Sequence, residues 1–167
     1  GLDIGFVFFL AGGFCAVALF TGIAKAVPIP RAPHPVVLAD YGAATGHNSL
    51  LPIGAAIEVL GSRIRKDQAV LVTHTDVAEN DFTALFHTLA DDPDSYLHRY
   101  PATYSSAVGR SFYQQVLPSN SVTLGWSSWA IQWLSRPPDR AGGHLVPALS
   151  GDESVRLAAE RQAAADW

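Results

Sequence analysis

The sequence predicts an α/β protein built on a doubly wound parallel sheet, and three observations carry the prediction. Apolar strand-like runs alternate with helical patterns along the chain. The first two runs each end on a carboxylate, Asp40 and Asp76. A glycine turn follows the first run and leads into a helix, the order strand, glycines, helix of a nucleotide-type site.

The stretch Val36 to Ser49, VVLADYGAATGHNS, organises the rest. Its apolar run, Val36 to Ala39, reads as a buried parallel strand that brings Asp40 to the carboxyl edge of the sheet, where open α/β folds leave a crevice for ligands. Gly42 and Gly46 can take positive φ or let a ligand lie against bare backbone. The helix starting near Asn48 turns its free amides toward the same crevice. A carboxylate at this turn suits an ammonium or hydroxyl group better than a pyrophosphate, and the spacing departs from GxGxxG in the same direction. An ordinary tight β-to-α turn is the plain structural alternative.

The other elements follow in order. From Ile4 to Ala24 no residue is charged, a length that meets the roughly 20-residue requirement for spanning a bilayer. Residues 1–27 therefore read as an apolar N-terminal helix, with a membrane segment as the alternative; Gly12 and Gly13 and the lack of a basic flank argue against the latter. Residues 28–167 read as a partial α/β domain that carries the ligand crevice, the part that the resemblance below makes cofactor-binding. Its proline-rich connector, Val27 to Pro35, stops the preceding helix. Leu50, Leu51, Ile53, Ile57 and Leu60 space themselves as a buried helical stripe ended by Gly61, and Ser62 to Gln68 reads as a basic, solvated loop. Ala69 to Val72 begins a second strand that runs into Thr73, His74, Thr75 and Asp76. Asn80 and Asp81 can cap a helix with Phe82, Leu85, Phe86 and Leu89 on one face. Tyr96 to Tyr104 reads as a loop or short helix, Ser121 to Leu124 as a third strand, and Asp152 to Trp167 as an alanine-rich helix. Three strands are visible where such a sheet has about five to seven. With no methionine, a start at Gly1 and an end inside a helical pattern, the chain reads as a fragment whose missing strands lie beyond Trp167.

Composition narrows the function. At 167 residues and a net charge of −4, the chain can form one sizeable core but offers no basic field for nucleic acid. The single Cys15 excludes an internal disulfide framework and a cysteine-rich zinc site, and fits a reducing cytoplasm. Of the six histidines, His47 and His74 lie near the turn and the second strand end, but neither has the HxxxH or HxH company of a metal site. Ser127-Ser128 lacks the glycine-flanked elbow of a hydrolase nucleophile.

Four segments together resemble one family, the S-adenosylmethionine-dependent carboxyl methyltransferases of the salicylate, benzoate, jasmonate and theobromine type, with their bacterial fatty-acid O-methyltransferase relatives. ADYGAATGHNSLL is similar to the family's cofactor motif, THTDVAENDFTALF to its second-strand motif, GRSFYQQVLPSNSV to its third and GWSSWAIQWLS to its substrate motif. They occur in the family's order over residues 36 to 138. The resemblance implies a Rossmann-like class-I methyltransferase fold with a helical cap from later sequence. It also implies roles. Asp40 and Asn48 would hold the methionine portion of the S-adenosyl-L-methionine cofactor, with Gly42 and Gly46 allowing its approach. Asp76 would accept the ribose hydroxyls, Val77 would pack on the adenine, and Ser111 and Phe112 would lie beside that ring. Trp129, Gln132 and Trp133 would face the substrate, Gln132 and Trp133 donating to its carboxylate. Where the family commonly has a tyrosine and a histidine this chain has Trp129 and Gln132, and an apolar tryptophan-lined pocket suits an acyl chain. The family's serine and glutamine before the first strand have no counterpart in Ile4 to Ala24.

The expectation is an enzyme that methylates the carboxylate of a small or fatty acid to a methyl ester, without metal, in the cytoplasm and as a homodimer if it follows its family; membrane association through residues 4–24 is the alternative location. Two other readings stand beside it: a non-catalytic remnant that keeps the motif, and a dinucleotide-using oxidoreductase, which the non-GxGxxG turn disfavours.

Overall fold

The computed structural model describes residues 5–9, 14–130, 135 and 151–166. In chain order the elements are β1 (Gly5–Phe9), α1 (Phe14–Ala26), β2 (Val36–Tyr41), α2 (His47–Gly61), β3 (Val70–Asp76), α3 (Phe82–Asp91), α4 (Tyr96–Arg99), β4 (Thr103–Gly109), β5 (Leu124–Ser128) and α5 (Glu153–Asp166). They fall into two compact units, residues Gly1–Trp129 and Ala130–Trp167. The first unit carries one sheet in the order β1-β5-β2-β3-β4. Every pairing in it is parallel. This is the doubly wound Rossmann-like sheet that the alternation of strands and helices implies.

Burial explains why β2 and β3 sit at the centre. Strands covered on both faces read as near-continuous apolar runs, and Val36, Leu38 and Ala39 in β2 and Val70 and Val72 in β3 are buried. Phe20 and Ala24 of α1, Leu50, Ile53, Ile57 and Leu60 of α2, and Leu85 and Leu89 of α3 join them in one core cluster. The Phe20 and Trp126 rings lie 4.9 Å apart at 55°, joining α1 to β5.

Several local expectations are corrected. The apolar run of residues 4–24 is not one helix: β1 pairs with β5, and α1 is a separate helix of 13 residues that packs on α2. In the sequence Gly12 and Gly13 stand between the two, and glycine is a poor helix former. Among the described residues no helix is long and apolar enough to cross a membrane. Two strands that the sequence pattern does not mark, β1 and β4, lie before Trp129. β4 escaped notice because its sequence, TYSSAVG, lacks an apolar run; Ser106 instead bonds Thr73 of β3 through their hydroxyls at 2.9 Å. β5 begins at Leu124, where the expected strand ended, and Trp126 is an inward residue of a strand, although its spacing to Trp129 and Trp133 reads as helical. Thr123 already grips β2 ahead of the ladder, its amide donating to the Val37 carbonyl at 2.9 Å.

Two further differences concern faces. Leu51 is 63% exposed, because Leu50, Ile53, Ile57 and Leu60 alone complete the inward stripe of α2, and Phe86 turns outward from α3 in the same way. The loop of Ser62 to Gln68 is not simply solvated. Arg63 donates to the carbonyls of Ala24 and Val27, which end α1, and buried Gln68 donates to those of Pro30 and His34. The proline-rich connector is thus tied down from across the unit.

In the second unit, Asp152 caps α5 by accepting from the Ser154 amide at 2.8 Å. Ser135 is held at the other end of that helix, its amide and hydroxyl donating to Asp166 at 2.8 and 2.6 Å.

The face assignment of α2 is testable by urea denaturation. Ile53→Ala is expected to cost about 2–5 kcal/mol, whereas Leu51→Gln is expected to stay within about 0.5 kcal/mol of the parent.

Candidate functional site

Because the strands are parallel and in register, their carboxyl ends lie at one edge. Tyr41 pairs with Thr75 and Ser127, and Asp76 pairs with Gly109. The turns after β2, β3 and β4 therefore open side by side, in the crevice position that open α/β sheets use for ligands.

The turn after β2 is wound in the left-handed region. Gly42 has φ 76°, Ala44 φ 46° and Gly46 φ 81°. At Gly46, the residue before the first turn of α2, the backbone angle calls for glycine, and a β-carbon would lie 2.5 Å from Leu85 Cδ1, so that the end of the leucine side chain would have to shift. The residue before α2 is a glycine and supplies no side-chain cap. Asn48 lies in that first turn.

Asp76 holds this turn in place. Its Oδ2 accepts from the Ala44 amide at 2.7 Å and its Oδ1 from the Val77 amide at 2.8 Å. Asn80 completes the clasp by donating from Nδ2 to the Ala44 carbonyl at 2.9 Å. Each carboxylate oxygen keeps further acceptor capacity after one amide bond. Val77, beside it, is 45% exposed, an apolar surface next to an acceptor. The Arg110 amide donates to the Asp76 carbonyl at 2.7 Å and so brings Ser111 and Phe112 to the same edge. Phe112 is half-buried, with its ring 4.9 Å from that of Tyr113.

Asp40 is in a different state. It is only 1% exposed, and its Oδ2 lies 2.8 Å from His74 Nδ1. His74 Nε2 in turn lies 2.8 Å from the Tyr96 hydroxyl, and both of these residues are fully buried. Burial first, and the nearby Asp40 charge second, push the Tyr96 phenol well above the ordinary tyrosine range, so it stays protonated. Sequence reasoning weighed His74 only as a metal ligand, read Asn80 only as a cap and gave Tyr96 no role. For His74 the sequence holds no signal of its pairing, since its level with Asp40 is set by the strand register.

Trp129 follows β5 with φ 62° and is 47% exposed. Gln132 and Trp133 lie outside the described residues. A cleft lined by Val27, Pro28, Pro35, Val37 and Val122 opens at the amino end of β2, the opposite edge from the carboxylates, and carries none of these residues.

A family model described as SAM dependent carboxyl methyltransferase matches residues 18–154. The chain belongs to this family. It is 31% identical over 154 residues to Methyltransferase FUS9 of Gibberella moniliformis, covering 90% of this chain and 39% of that protein. It is 31% identical over 108 residues to the farnesoic acid carboxyl-O-methyltransferase of Arabidopsis thaliana, covering 62% of this chain and 29% of the relative. The fold is shared with a solved loganic acid methyltransferase with SAH, at a TM-score of 0.69 and 24% identity, covering 91% of this chain and 46% of that one. The chain thus spans less than half the length of these relatives. The carboxyl methyltransferase membership expected from the four motifs is met, and with it the family's dependence on S-adenosylmethionine.

The left-handed turn of this methyltransferase chain makes a direct prediction. Gly46→Ala brings a strained φ and displaces the end of the Leu85 side chain, and is expected to lower stability by about 1–2 kcal/mol in chemical denaturation.

Proposed function

We propose that this chain forms the cofactor side of an S-adenosyl-L-methionine-dependent O-methyltransferase that esterifies the carboxylate of a small or fatty acid. The observation that carries the reading is the shared edge itself: an acceptor-only carboxylate, Asp76, beside exposed apolar Val77 and next to a bare left-handed turn. Those features fit the family's cofactor. Asp76 has acceptor capacity left for ribose hydroxyls, and Val77 with Ser111 and Phe112 offers a slot for an adenine ring. Gly42 and Gly46 leave room along the backbone, and Asp40 and Asn48 serve the methionine portion. Such a cofactor, when bound, supplies an electrophilic methyl group on a sulfonium. What remains for the protein is alignment and exclusion of water, since an acid substrate is already ionised near neutral pH. Trp129, Gln132 and Trp133 are assigned to that substrate, with Gln132 and Trp133 as neutral donors to one carboxylate oxygen. Neutral donors orient the nucleophile without quenching it as a full positive charge would.

Relatives named for farnesoic acid, loganic acid and gibberellic acid support a carboxylic acid as the substrate class. A cytoplasmic setting, which suits the lone thiol of Cys15, and a homodimer of the kind the family resemblance implies belong to the same reading.

Calorimetric titration tests the proposal. The 167-residue chain is expected to bind S-adenosylhomocysteine at micromolar levels, Asp76→Ala to lose at least about tenfold in affinity, and NADH to give no heat of binding. Binding of NADH alone would reverse the assignment to a dinucleotide enzyme.

A further inference from the structure

The three buried polar residues behind the edge have no part in the roles above except through Asp40, and their arrangement is directional. Asp40 and His74 are register partners on neighbouring strands, and Tyr96 reaches them from α4. The hydroxyl of Tyr96, a fully buried phenol, lies 2.8 Å from His74 Nε2 and can donate to it. With the phenol donating there, the ring proton sits on Nδ1 and faces Asp40 Oδ2 at 2.8 Å. In that arrangement the chain of donors ends on the Asp40 carboxylate. The backbone at this point is fixed as well: Thr75 Oγ1 donates to the Asp40 carbonyl at 3.2 Å and Ser127 Oγ to that of Tyr41 at 3.0 Å.

We propose that His74 and Tyr96 are positioning residues that hold the ionised Asp40 side chain in one orientation, with its second oxygen, Oδ1, presented to the ammonium group of the cofactor's methionine portion. This rests on the cofactor reading above. A stitch serving only the fold needs no charge, because apolar residues of similar volume would fill the same space without the cost of desolvating a carboxylate. Here the charge is retained, and it is retained two residues before the left-handed Gly42 at the ligand edge. An imidazole that donates one N–H to Asp40 orients the carboxylate and leaves its other oxygen for an ammonium group.

The test compares two ligands by calorimetry on the 167-residue chain: S-adenosylhomocysteine, and 5′-methylthioadenosine, which keeps the adenosine and thioether but lacks the ammonium and carboxylate. His74→Leu is expected to weaken S-adenosylhomocysteine roughly tenfold or more and to leave methylthioadenosine within about twofold. Tyr96→Phe, which removes one oxygen, is expected to weaken only the first ligand, by about threefold. His74→Asn, whose amide can replace the Nδ1 donor, is expected to restore most of the affinity lost in His74→Leu. Equal weakening of both ligands, or of neither, would refute the positioning role while leaving the cofactor reading intact. If the parent chain binds neither ligand, the cofactor reading fails and this inference falls with it. Should His74→Leu fail to fold, the same comparison on Tyr96→Phe decides.

Discussion

Parallel registration of β2 on β3 is the constraint on which the rest of the unit depends. With Asp40 level with His74 and Tyr41 level with Thr75, both strands end at the same height. The amides of Gly42 and Ala43 then reach back to the Thr75 carbonyl at 2.8 and 3.0 Å, and the next residue, Ala44, meets Asp76. A slip of one residue would turn Asp40 to the opposite face and part it from His74. It would also carry the glycine turn away from the carboxylate that clasps it.

The two carboxylates at this edge solve opposite electrostatic problems. Asp76 stays at the surface, where two backbone amides satisfy it and solvent or a ligand can take the remaining lone pairs. Asp40 gives up hydration almost completely, a cost that is tolerable only with a well-placed partner, and His74 is that partner. In the proposed reading the outer group takes hydroxyls and the inner one an ammonium group. An edge built this way favours a ligand with hydroxyl and ammonium groups over one rich in phosphate, in agreement with a chain whose net charge is −4.

Remote packing supports the edge. Leu85 of α3 fills the space beside Gly46, so the helix after β3 helps to enforce the turn after β2. Arg63 and Gln68 fasten the connector that leads into β2, supplying donors to carbonyls that a proline-rich segment cannot satisfy by regular pairing. The carboxyl edge is therefore held from the core side and from the opposite end of the strand.

The sequence by itself determined the strand, turn and helix around Asp40, the carboxylate at Asp76 and the family motifs, because all of these are local patterns of apolar period, glycine and charge. It also located the buried stripe of α2 apart from Leu51. It did not reveal β1 and β4. An apolar pentapeptide next to a helix has no period that marks it as a strand, and β4 is recognisable only by its neighbour. Nor could it show that His74 and Tyr96 converge on Asp40, since those contacts join residues 22 and 34 positions apart. Tertiary structure alone decided them, because register and helix packing, not proximity along the chain, set which buried polar groups meet.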